Sequence, residues 1–147
     1  MKRATVCFFL FLIIFCFMCT SSCAEEQYFE VAKTEELICY IDIKSIEDRD
    51  ESVFALTKVV PMGQYLIECK QIYGENISYL LSSSAYFKKY KRQKILSIIA
   101  YDKLNKVIKS DKFDSHEWTA IVPDSIEEKQ YDDIMLINYY KQKIKIN

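Results

Sequence analysis

Leu37-Ile38-Cys39-Tyr40-Ile41-Asp42-Ile43 alternates along its length. Leu37, Cys39, Ile41 and Ile43 share one face, with Tyr40 and Asp42 on the other, the pattern of a strand with one side buried. Further strands follow downstream. Glu47 to Glu51 is a charged turn, Ser52 to Val60 a second strand, and Pro61-Met62-Gly63 a break. Tyr65 to Tyr73 is expected as a third strand, with Tyr65, Ile67, Cys69 and Tyr73 on one face. Gly74-Glu75-Asn76 is expected as a hairpin turn before Ile77 to Leu81. Ala85 to Ala100 is long for one strand and predicts a bend or bulge. Asp102-Lys103-Leu104-Asn105 turns the chain back through Lys106 to Lys109.

The period changes near the end. In Pro123-Asp124-Ser125-Ile126-Glu127-Glu128, Ser125 can accept from the amide of Glu128 while the Glu128 carboxylate reaches back, a capping box. Tyr131, Ile134, Met135 and Asn138 follow at helical spacing, so a helix is expected from about Ser125 to Tyr140. The fold class is therefore α+β: one small domain with an antiparallel β-sheet meander and a C-terminal helix packed on it. The basic tail, 141–147, alternates basic and apolar residues and is a candidate for disorder.

Composition excludes several chemistries. The chain has 147 residues, room for one domain. Gly63 and Gly74 are its only glycines, so no glycine-rich phosphate loop exists. His116 is the only histidine, which excludes His-rich zinc sites. Beside Asp114 and Glu117 it makes only a weak metal set, and no cofactor is expected.

The first 24 residues read as an export signal. Met1-Lys2-Arg3 is basic, Val6 to Cys19 is uncharged and apolar, and Thr20-Ser21-Ser22-Cys23-Ala24 is a small-residue boundary. The apolar run is short for a transmembrane anchor, which needs about 20 residues. Two processing sites compete. One cut falls before Glu25; the other reading treats Thr20 to Cys23 as a lipobox, with Cys23 lipidated and the protein tethered to a membrane. The domain is then 25–140, located in the periplasm, the outer membrane or at the cell surface. Removing Lys2 and Arg3 leaves 18 basic against 21 acidic residues, so no global field attracts nucleic acid.

Cys39 and Cys69 remain after the signal, in a compartment that permits oxidation. A Cys39–Cys69 disulfide is the expectation, and two separate core thiols the alternative. Neither has a nucleophile's surroundings with His116. The acid pairs Glu35-Glu36 and Asp132-Asp133 read as solvated surface more readily than as a hydrolytic dyad.

Lys88-Lys89-Tyr90-Lys91-Arg92-Gln93-Lys94 concentrates five cations beside Tyr86 and Phe87. On a strand, Lys88, Tyr90, Arg92 and Lys94 line one face and can contact a polyanion or an acidic protein surface. The competing reading is an edge strand that carries lysines against edge-to-edge pairing. Trp118 is expected to plug the sheet–helix core.

Taken in order, Tyr40-Ile41-Asp42 with Ser45-Ile46, Tyr101-Asp102 before Val107-Ile108, and Trp118-x-x-Ile121-x-Pro123-x-Ser125-x-x-Glu128 resemble the bacterial surface-adhesin protein E family, over about residues 28 to 135. The resemblance implies a small antiparallel sheet with a C-terminal helix, exported and often displayed at the bacterial surface. Some members bind host matrix or serum proteins. The cysteines that members often carry on a late strand and in the final helix are replaced here around Ala85-Tyr86 and Ile134-Met135, and no binding residue transfers. A non-enzymatic exported binding module for host or envelope macromolecules is expected. A periplasmic structural or assembly protein is the alternative, and a small secreted hydrolase a weaker one.

Overall fold

The computed structural model describes residues 27–114 and 117–146, so the signal segment, Cys23 and His116 lie outside the described residues. Eight strands form one antiparallel sheet: β1 (Tyr28–Lys33), β2 (Leu37–Asp42), β3 (Glu47–Arg49), β4 (Ser52–Pro61), β5 (Ile77–Phe87), β6 (Arg92–Asp102), β7 (Val107–Lys112) and β8 (Thr119–Ala120). The order is β1-β2-β4-β5-β6-β7, with β3 beside β4 and β8 beside β6. Two helices complete the α+β fold, α1 (Gly63–Tyr73) and α2 (Ile126–Ile146).

Cross-strand register puts both helices on one face. Cys39 lies opposite Val59, and Val59 opposite Leu80, while Ala55 meets Ser84 and Val53 meets Tyr86. These side chains point toward the helices. Two buried clusters result. Ile134 of α2 packs over Val31, Cys39, Ile41, Val53 and Tyr86; Cys69 of α1 packs over Ile77, Leu80 and Ala100. Val59 packs against both. On the opposite face Tyr79 and Tyr101 stack with centroids 4.9 Å apart, and the Lys58 ammonium lies 4.4 Å from the Tyr79 ring.

The motif residues behind the family resemblance perform local tasks. Asp42 Oδ1 accepts from the amides of Lys44 and Ser45, closing a 3-10 turn over Ile43–Ser45. Ser45 Oγ donates to Asp42 O and accepts from Leu56 N, which ties the turn to β4. Asp102 Oδ1 accepts from Leu104 N and Lys106 N in the β6–β7 turn. Ser125 Oγ accepts from Glu128 N at 3.2 Å, whereas the Glu128 carboxylate accepts from Asp124 N rather than from the cap residue's own amide.

Four expectations change. Tyr65 to Tyr73 is helical. Its apolar residues satisfy both periods, and the helix buries Cys69 with Tyr65, Leu66 and Tyr73 packed around it, leaving Ile67 and Ile72 exposed. Gly63 starts this helix at φ +48°, where a Cβ would come within 2.9 Å of Glu35 O. The Glu36 carboxylate then accepts from Tyr65 N. Gly74 accordingly ends a helix, at φ +102°, instead of turning a hairpin. Ala85 to Ala100 is not one strand: residues 88–91 turn between β5 and β6, and the expected irregularity is a register shift near Leu96. The tail is helical to Ile146, and Lys141 Nζ donates to the carbonyls of Ile43 (3.0 Å) and Ile46 (2.8 Å).

Candidate functional site

The two helices meet the sheet some distance apart, and the gap between them is a cavity of about 390 Å³. Its floor follows from strand register. Thr57 lies opposite Ser82, Ser82 opposite Ile98, Ser84 opposite Ile95, and Tyr86 opposite Gln93. Val59, Leu80 and Tyr65 wall the part beneath α1, Leu37 and Cys39 stand on β2, and Ile126, Glu127 and Gln130 overhang the part beneath α2. Ile95 and Glu127 are exposed and mark the mouth, while Thr57, Ser84, Tyr86 and Gln130 are buried.

A chain of polar contacts crosses this interior. Gln130 Nε2 donates to Tyr86 Oη at 2.6 Å, and the Cys39 thiol faces Gln130 Oε1 at 4.0 Å. Ser82 and Ser84 hydroxyls lie 3.4 Å apart. Ser84 also bonds Tyr86. Such groups are stable in a core only when partnered, and here they partner one another. Burial, then the Glu127 carboxylate, pushes the Cys39 thiol up to about 11. Burial likewise raises the Tyr86 hydroxyl, and pushes Tyr65 up to about 12. All three are protonated and neutral near pH 7, and Cys39 is no thiolate nucleophile there. Among the described residues no histidine, lysine or arginine lines the cavity.

The expected disulfide is not formed. Cys39 and Cys69 are both free and buried. Cys39 belongs to the cluster beneath α2 and Cys69 lies on α1 in the other, because the segment expected to pair as a strand is a helix.

The basic cluster is also rearranged. Lys88 and Tyr90 lie in the β5–β6 turn and Arg92 and Lys94 on β6, so the four do not share a strand face. Lys88 is ion-paired with Asp48, whose carboxyl is held low by that contact and by Asn138. Lys91 bridges Glu128 (2.8 Å) and Asp132 (3.0 Å), and these hydrogen bonds raise its pKa. Tyr131 Oη donates to the carbonyls of Phe87 and Lys88. The turn thus clamps α2. Tyr90 is exposed and stacks on Phe87, against which Trp118 also packs at 5.4 Å. Trp118 is half-buried at the edge of the sheet and not a core plug.

The acid pairs do not form dyads: Glu36 caps α1, and Asp132 pairs with Lys91. Among the described residues no three of His, Cys, Asp and Glu converge as a metal site requires.

The cavity residues were not singled out from sequence. A signal was present: Ser82-Ser83-Ser84 lies inside an otherwise apolar and aromatic stretch, with Thr57 inside another. Comparison with family models, curated proteins and solved structures finds no match for this chain.

Proposed function

We propose that this chain is an exported, non-enzymatic binding module of the bacterial envelope that holds an amphiphilic molecule in the cavity between α1 and α2. One observation carries the reading. A cavity of about 390 Å³ is lined by aliphatic side chains together with hydroxyl and amide groups, of which those of Thr57, Ser84, Tyr86 and Gln130 are buried, a combination typical of small-molecule sites. Its thiol is protonated and, among the described residues, no histidine or lysine lines the cavity beside the serines, which supports binding over hydrolysis. Export rests on the signal-like first 24 residues, and the ordered motifs support a place near the surface-adhesin protein E family. Contact with a host or envelope macromolecule through residues 88–94 is the weaker reading, since Lys88 and Lys91 are engaged within the molecule.

The test is binding of N-phenyl-1-naphthylamine, which fluoresces in apolar surroundings. Saturable binding of one probe per chain is expected, lost in Ser82→Phe, which fills the cavity, and weakened in Ile95→Asp at the exposed mouth. Equal binding by wild type and both folded variants would leave the envelope structural role as the better reading. Turnover across an esterase, peptidase and glycosidase panel would favour the hydrolase.

A further inference from the structure

We propose that the cavity selects amphiphiles whose head group is uncharged and bears a hydroxyl or amide, and rejects those headed by carboxylate or phosphate. This rests on the cavity being the binding site. The lining changes along the strands. Val59 and Leu80 lie beneath α1 and its Tyr65, where an apolar tail fits. Two strand positions further on it becomes mixed: Ser82, Ser84, Gln93 and, from α2, Gln130 bring hydroxyls and amides in among Ile95, Ile98 and Ile126.

Charge decides the head group. Among the described residues Glu127 is the one charged side chain in the lining, and it stands at the mouth on the first turn of α2. An anionic head would lose hydration, find no counter-cation among these lining residues and meet a like charge. A serine hydroxyl both donates and accepts, as do the two ends of a glutamine amide, so a neutral donor–acceptor head is matched without burying charge. Burial suppresses ionisation of the Cys39 thiol and the Tyr86 hydroxyl, the same penalty an anionic head would meet in this cavity.

The experiment compares three twelve-carbon probes on the purified protein near neutral pH by displacement of N-phenyl-1-naphthylamine: 1-monolaurin, dodecanoate and dodecyl phosphate. Monolaurin is expected to displace the reporter, with the two anions weaker by about tenfold or more. In Glu127→Lys, an exposed change that spares the core, dodecanoate should gain at least about fivefold while monolaurin moves less than about twofold. Dodecanoate binding as tightly as monolaurin in the wild type would overturn the head-group selection while leaving the cavity a binding site. An unchanged ratio in Glu127→Lys would overturn the role given to that carboxylate, and the selection with it. Displacement by none of the probes would remove the cavity reading itself.

Discussion

Cys39 and Asp133 show what burial does to single ionisable groups. The Cys39 thiol, ordinarily near 9, is pushed to about 11. Its folded pKa lies above its unfolded one, so its contribution is complete below pH 9 and is lost as pH rises from 9 to 11. Two units correspond to about 2–3 kcal/mol, so alkaline unfolding should begin near pH 9 and be delayed in Cys39→Ala once that variant's lower baseline stability is subtracted. Alkylation without reductant should add nothing to Cys39 or Cys69 in the native protein and one adduct to each in denaturant, read by peptide mass. Asp133 behaves differently. Its Oδ2 is buried without a hydrogen-bond partner, and burial raises its pKa despite the pull of Lys129. The protonated form is therefore favoured in the fold, and the ionised form costs stability as pH rises through that pKa. Asp133→Asn should raise the melting temperature near pH 7 and change it little near pH 3; a lower melting temperature at pH 7 would refute this.

Each element owes its stability to a few end residues. Ser125 holds the first turn of α2 by accepting from Glu128 N and donating to Val122 O. Ser125→Ala should cost about 1 kcal/mol in urea unfolding, with the slope unchanged. This cap was legible in sequence because a capping box is a local pattern of four residues. The strand Leu37 to Asp42 was legible for a similar reason, its alternation being nearly unbroken. α1 was not legible: Tyr65, Ile67, Cys69 and Tyr73 satisfy a period of two, and Tyr65, Cys69 and Tyr73 also satisfy a helix. The helix is supported by Glu36, 29 residues from the amide it caps, a relation invisible to any window. The basic run misled for the opposite reason. Its cations look available on paper, but Lys88 and Lys91 find acids on β3 and α2, 40 residues or so away.

At the scale of the molecule, the cavity could not be read in advance because it is a gap between two helices over hydroxyls contributed by different strands. The C-terminal segment carries more than its sequence suggests. Lys141 reaches two carbonyls near the 3-10 turn, and Asn138 and Gln142 both donate to Asp48 on β3. Truncation after Tyr140 should therefore lower thermal stability measurably and speed amide exchange at β3, whereas a disordered tail would leave both unchanged.

The first strand and the last helix also touch: Lys129 Nζ donates to the carbonyl of Val31, 98 residues away, and Val31 and Ile134 share one core. That contact sets a schedule for the nascent chain. The part of the inner wall that α2 covers stays open until residues 126–146 dock on it, so its core waits for a partner 98 residues from Val31. Long-range closure of this kind is slow, and until it is made the apolar faces of β2 and β4 meet water.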